Sequence, residues 1–341
     1  MWKLDVSGMK RKWWYRQMTS EILGTGSALP KKIVTNDDLA KIVDTNDEWI
    51  SERTGICARR IAVDETTETL SVEAAKQALE DASIVASQID LIIVATLTPD
   101  GSMPNTACKV QATIGAGNAM CYEINAACSG FMYAMQTAHA FISSGLIKYA
   151  LIIGAETLSK IMDSTDRSTC VLFGDGAGAA VLGPSEEGIQ YIEGGSVGTK
   201  GSVLSLGNAP LVNPYTSHPA TKQYVEMDGQ EVFKFAVRKI PAIITSLLEK
   251  ASLTLSDLDL ILLHQANKRI IQSAARRLKA DETLFPINLD QYGNTSAASV
   301  AILLDEVNKN GSLKKGDTIV LAGFGGGLTW AGVLLTWTKN R

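Results

Sequence analysis

The chain has 341 residues, 45% hydrophobic and 20% charged, a length that suggests roughly two units of about 150 residues, each able to bury a core. A net charge of -4 leaves no polybasic face for nucleic acid. Five cysteines, odd in number and without a CxxC pair, argue against a disulfide framework and a zinc site; no metal is expected.

The opening MWKLDVSGMKRKWWYRQM is basic and aromatic but lacks a signal-peptide apolar run, and no later stretch reaches the ~18 apolar residues of a membrane span. Residues 1 to 18 are expected to be an extension of no assigned role, on a chain that works in the cytoplasm without an integral membrane segment. Short β-branched runs then alternate with helical patterns, which argues for α/β layers. In chain order, the patterns predict a helix over 70 to 84, strands over 91 to 97, 149 to 156 and 178 to 183, with a helix over 129 to 145 among them. Beyond these come helices over 231 to 252, 267 to 279 and 295 to 310, and strands over 259 to 264, 317 to 324 and 330 to 337. Between about 193 and 228 the chain is rich in Gly, Ser, Pro and Asn; so long a stretch without regular structure is expected to be a functional cover.

The two halves repeat. LEDASIVASQIDLIIV (79 to 94) aligns with LEKASLTLSDLDLILL (248 to 263) without a gap, so that Leu79 falls on Leu248, and about half the positions are identical. The same shift lays ALIIGA (150 to 155) on IVLAGF (319 to 324) and Asn125 on Asn294. The expected division is 19 to 185 and 186 to 341, with a ligand site where equivalent loops meet.

In INAACSGF, Cys128 sits at a strand-to-helix junction, where free N–H groups and the helix dipole stabilise a thiolate and lower its pKa from the usual ~8.5. An inert buried cysteine is the alternative. His264 ends a strand, where ligands gather in open parallel sheets, or is a satisfied core residue. Asn294, in YGNTSAASV, is a turn or cap residue, or the partner that approaches Cys128 from the other half. GFGGGLTWAG (323 to 332) is a tight strand turn, or a source of bare N–H groups for an oxyanion.

Taken together, the motifs GTGSALP, DTNDEWISERTGI, NAACSGF, STDRST, FGDGAGAAVLG, GQEVFKFAV, HQANKRII, GNTSAAS and GFGGGLTW, in this order over about residues 20 to 338, resemble the thiolase-fold condensing enzymes, most closely the 3-oxoacyl-(acyl carrier protein) synthase III family. The resemblance implies an α/β, thiolase-like fold of duplicated halves in five layers, αβαβα. It implies a Cys128, His264, Asn294 triad and an oxyanion hole from the N–H groups of Cys128 and Gly326. Cys128 would take the acyl group of a short acyl-CoA, and malonyl-acyl carrier protein would then lose CO2 and condense with it; CoA thioesters are substrates and no cofactor is implied. Trp49 and Arg167 would sandwich the adenine of CoA, Arg53 would lie near its phosphates, and Asn267 and Gly229 along the pantetheine. Lys234, Arg269 and Arg276 would dock the acidic carrier protein, and Phe233 would line the tunnel. Met103 stands where some members carry a phenylalanine that reaches into the partner of a homodimer, which implies tolerance of branched or longer primers.

Other readings compete. Relatives of the same fold transfer acyl groups without condensation or make secondary metabolites. The order Cys, His, Asn also matches papain-like proteases, but Cys128 is far from the N-terminus and no CGSCW motif is present. A non-catalytic binding scaffold would be favoured had the triad been lost.

Overall fold

A computed structural model of the chain describes residues 18 to 207, 211 to 218 and 224 to 340. Of the expected 1 to 18 extension, all but Met18 lies outside the described residues. Two sheets form the frame. The first joins β1 Thr19–Ala28, β2 Leu91–Ala95, β3 Met120–Ile124, β4 Ala150–Glu156 and β5 Gly176–Ser185 in the order β1-β5-β4-β2-β3. The second joins β6 Ile189–Ser196, β7 Leu260–Leu263, β8 Thr318–Gly325 and β9 Thr329–Thr336 in the order β6-β9-β8-β7. Pairing follows one pattern in both: two antiparallel ladders at one side, then parallel pairing of β4 with β2 and of β8 with β7.

Helices dress these sheets: α1 Asp47–Thr54, α2 Thr67–Ala82, α3 Thr106–Ile114, α4 Gly130–Ser143, α5 Gly229–Ala251, α6 Lys268–Leu278 and α7 Ser299–Lys309. Successive strand residues point to opposite faces, so a strand covered on both sides reads as an unbroken apolar run. Ile93, Ile152, Leu262 and Leu321 face a middle layer built from α4 and α7, through Phe131, Met135, Leu303 and Leu304. Their neighbours Ile92 and Leu151 turn outward onto Ala75, Ala78 and Val110 of α2 and α3. Ile261 and Val320 turn the other way, onto Ile240, Ile244 and Ile270 of α5 and α6. The result is five layers, αβαβα, with the core in three clusters, one around the middle helices and one beneath each outer helix layer.

The repeat is visible in backbone detail. Ser83 and Ser252, equivalent under the sequence shift, end α2 and α5 in the left-handed region with φ of 54° and 56°. Ala127 and Ser296, equivalent in the same way, open the turns Ala127–Ser129 and Ser296–Ala298 with φ of 45° and 48°. Those turns lead into α4 and α7, so the middle layer is where the two loops meet. The expectation that 193 to 228 lacks regular structure is corrected: β6 runs on to Ser196 and two short ladders follow. Leu204–Ser205 pairs with Glu226–Met227 and Leu211–Asn213 with Thr216–His218, ladders too short for their alternation to stand out in sequence. Among the described residues no helix is long and apolar enough to cross a membrane.

Candidate active site

Three side chains named from sequence converge on one cavity of about 790 Å³, a size typical of sites for small molecules. Cys128 arrives from the turn after β3, His264 directly follows β7, and Asn294 precedes the turn into α7. Each is buried, at 7%, 1% and 7% exposure. The Gly325–Gly327 turn between β8 and β9 closes one wall. Glycine is required there: a Cβ on Gly325 would lie 2.6 Å from the Cys128 nitrogen and 3.1 Å from its Cβ.

The thiol corrects one expectation. Burial pushes Cys128 up to about 12, the Glu156 carboxyl adds to that, and the Ser296 hydroxyl and the cysteine's own N–H act the other way. Desolvation shifts a buried group by up to 3 to 5 units, whereas a helix N-terminus contributes about 0.3 to 1 kcal/mol, less than one unit. Position at a helix start therefore does not make a resting thiolate.

His264 is fixed at both ends. Its N–H donates to the Ala322 carbonyl at 2.9 Å, its Nδ1 lies 2.6 Å from the Ser299 hydroxyl, and its ring meets Phe324 edge-on at 5.3 Å. Burial holds it down at about 3, so the ring is neutral at physiological pH. The tautomer in which Ser299 donates to Nδ1 places the ring hydrogen on Nε2. Asn294 is held by its N–H to the Leu172 carbonyl at 2.8 Å and by its own carbonyl, which accepts from Gly174 at 3.0 Å. Its side-chain Oδ1 accepts from the Ser296 N–H at 2.9 Å, which orients the amide and leaves the NH2 as its donor end. In that tautomer His264 and Asn294 each carry a side-chain N–H donor.

The residues expected to hold CoA form a second cluster. Trp49 on α1 has two guanidiniums over its ring, Arg53 at 4.6 Å and Arg167 at 4.9 Å from the ring centre. Arg167 also donates to the Asp44 carbonyl at 2.8 Å. The gap expected for a purine between Trp49 and Arg167 is therefore closed by their own stacking. The Asn267 side chain donates to the Arg53 carbonyl at 3.1 Å, and Asn267, Gly229, Phe233 and Ser168 line the cavity, linking this cluster to it. Lys234, Arg269 and Arg276 are exposed. Lys234 pairs with Glu231 at 2.9 Å, and Arg269 donates from Nη2 to the Glu52 carbonyl at 2.8 Å. Met103, 91% exposed, does not line the cavity of its own chain. Leu204, Leu206, Val225 and Met227 of the cover do.

Sequence reasoning missed Glu156, Ser296 and Ser299. Glu156 ends β4 fully buried, accepting from Thr98 at 2.5 Å, Thr96 at 3.2 Å and the Leu97 N–H at 3.2 Å. Its signal was an acid closing the apolar run ALIIGAE. Among the described residues no group of three or more His, Cys, Asp or Glu stands together as metal ligands.

Residues 122–201 match the family model described as 3-Oxoacyl-[acyl-carrier-protein (ACP)] synthase III, and 248–337 the model of its C terminal. A beta-ketoacyl-[acyl-carrier-protein] synthase III of Clostridium acetobutylicum is 50% identical over 321 residues, 94% of this chain and 99% of that protein. The crystal structure of 3-oxoacyl-[acyl-carrier-protein] synthase III from Aquifex aeolicus superposes with a TM-score of 0.88 at 46% identity, covering 93% of this chain and 99% of that one. A priming beta-ketosynthase of a polyketide biosynthetic pathway superposes with a TM-score of 0.88 at 36% identity, over 95% and 97%. A Cys, His and Asn brought to one cavity by duplicated sheets, on a chain this similar to those proteins, settles the matter: the chain belongs to the 3-oxoacyl-[acyl-carrier-protein] synthase III family.

Proposed function

We propose that Cys128, His264 and Asn294 carry the initiating condensation of fatty acid synthesis, in two half-reactions on one cysteine. The carrying observation is the convergence of these three side chains, from loops of both sheets, on one buried cavity. In the first half, the Cys128 sulfur attacks the carbonyl of a short acyl-CoA, the N–H groups of Cys128 and Gly326 receive the oxyanion, and CoA leaves. In the second, His264 Nε2–H and the Asn294 NH2 hydrogen-bond the thioester oxygen of malonyl-acyl carrier protein. CO2 then departs to leave an enolate, which attacks the acyl-cysteine and expels the Cys128 thiolate, which regains a proton to restore the thiol. Neither half needs a metal or redox cofactor.

Trp49, Arg53, Arg167, Asn267 and Gly229 are assigned to CoA, with Arg167 swinging off Trp49 to admit the adenine. A Trp face and Arg planes suit a purine, and the guanidinium charge suits phosphate. Lys234, Arg269 and Arg276 are assigned to the acidic carrier protein, and Phe233 to the tunnel. The chain is assigned to the cytoplasm as a homodimer whose Met103 side chains reach the partner's acyl pocket, the exposure of Met103 supporting that role. The functional halves are 19 to 185 and 186 to 341.

Intact mass after exposure to a panel of acyl-CoAs tests the assignment. The expected result is one acyl adduct that Cys128→Ala abolishes, with branched primers competing against acetyl. An adduct that survives Cys128→Ala overturns it. The likeness to a polyketide priming ketosynthase favours one alternative, priming of secondary metabolism. Preference for a polyketide carrier protein over the fatty acid carrier protein would decide for it.

A further inference from the structure

Among the described residues Arg59 is the only Lys or Arg that is buried, at 1% exposure. It lies on the short strand Ala58–Ile61, which pairs with Lys32–Thr35. A guanidinium stays charged, and burying a charge is costly unless a partner of opposite sign compensates it. Here the acceptors are neutral. Nη1 donates to the Asn36 side-chain oxygen at 2.8 Å and to the Val34 carbonyl at 3.3 Å, Nη2 donates to the Val171 carbonyl at 2.7 Å, and Nε finds no acceptor. Asn36 is held in turn, its NH2 donating to the Asp47 carboxylate on α1 and to the Ile56 carbonyl, both at 2.8 Å. The guanidinium therefore ties the Lys32–Thr35 strand to the segment that precedes β5.

That segment is the shelf on which Asn294 rests. The Leu172 carbonyl accepts the Asn294 N–H at 2.8 Å and the Gly174 N–H donates to the Asn294 carbonyl at 3.0 Å, so Phe173 and Asn294 pair as a parallel bridge. The Arg59 stem lies against both sides of it: a Cβ added to Gly174 would stand 3.2 Å from the Arg59 Cβ, and one added to Gly293 3.3 Å. Cys128 is braced by other groups, Asn125 beneath its turn and Gly325 against its backbone. Resting on the assignment of Asn294 to decarboxylation, we propose that Arg59 is a positioning residue for that half-reaction, setting where the Asn294 NH2 stands by clamping the Val171 carbonyl. A planar fork that meets acceptors on two chain segments at once is a task for arginine, since a lysine ammonium is a single point of charge. Acylation of Cys128 makes no use of Asn294 and is left outside the clamp.

A double-mutant cycle between Arg59→Met and Asn294→Ala tests this, with CO2 release from malonyl-acyl carrier protein and Cys128 acylation at saturating acyl-CoA measured separately. Arg59→Met should slow CO2 release by about tenfold to a hundred-fold, the scale of a sub-ångström to 1 Å misplacement, and leave acylation within about threefold. In the Asn294→Ala background, where no amide remains to be placed, the same substitution should change the residual CO2 release by less than about twofold. A merely structural role would lower both half-reactions together and would act equally in both backgrounds. Either of those results, or an unchanged rate of CO2 release in Arg59→Met, overturns the proposal. Should Arg59→Met not fold, Arg59→Lys, which keeps the charge but not the fork, enters the same cycle under the same criteria. Failure of the condensing assignment itself would be seen separately, as a wild-type protein that releases no CO2, and the proposal would fall with it.

Discussion

The Ser296 N–H donates to the side-chain oxygen of Asn294 at 2.9 Å, and at the equivalent place in the first half the Ala127 N–H donates to Asn125 at 3.2 Å. One local device, an asparagine that braces a left-handed residue ahead of a middle-layer helix, is used on both sides of the cavity. In the second half it dictates which end of the Asn294 amide is free to donate.

Asn294→Asp keeps the brace and removes the donor, since a carboxylate only accepts. Decarboxylation of malonyl-acyl carrier protein should fall by about a hundred-fold or more, while acylation of Cys128 changes little. Separate measurement of acyl-enzyme formation and CO2 release checks this; equal loss in both would contradict the division of labour.

Two buried groups oppose each other in acid. His264, lowered from 6.5 to about 3, contributes stability that is present above pH 6.5 and lost as pH falls, because only the unfolded chain takes up its proton. Glu156, raised from 4.5 to about 7, contributes stability that is present below pH 4.5 and lost as pH rises toward 7. Their slopes cancel between about 4.5 and 6.5. Glu156→Gln should expose the His264 slope, up to about 1.4 kcal/mol per pH unit, so that the Tm of the variant relative to wild type falls on acidification through this window. Parallel Tm curves would count against it.

Gly325→Ala should cost about 1 to 3 kcal/mol by overpacking, because its methyl would meet the Cys128 backbone rather than a movable side chain. A lowered denaturant midpoint together with slowed acylation is the expected pair of results. Wild-type values in both would mean that β8 and the Cys128 turn separate readily.

Trp49→Ala should raise KM for acyl-CoA about tenfold and leave kcat within about threefold, the pattern of lost uniform binding. Acyl-pantetheine, which lacks the adenine, should be unaffected. An equal effect on both substrates would move Trp49 away from the purine.

The repeat was legible in sequence because it rests on covalent order, LEDAS and LEKAS and then the Asn125 and Asn294 loops at one constant shift, whereas the grouping of Cys128 with His264 and Asn294 came from the family motifs. Strand β1 was not legible. Its glycines, Gly24 and Gly26, press against the α2 backbone, where an added Cβ would come within 2.3 Å of the Ala82 nitrogen and the Ala74 carbonyl oxygen. Close packing removed the apolar alternation that announces a strand. The Cys128 thiol was misjudged for a related reason. A helix start is a local feature, but the burial and the Glu156 charge that outweigh it come from tertiary packing, the charge from the end of β4 beyond the whole of α4.

The stack of Arg167 on Trp49 has a consequence for turnover. On the proposed CoA assignment, the side chain that the adenine displaces stays tethered beside the surface it covers, at the high effective concentration of an intramolecular competitor. Arg167 would then re-cover the indole whenever the nucleotide lifts away, and CoA would leave against a contact ready to re-form.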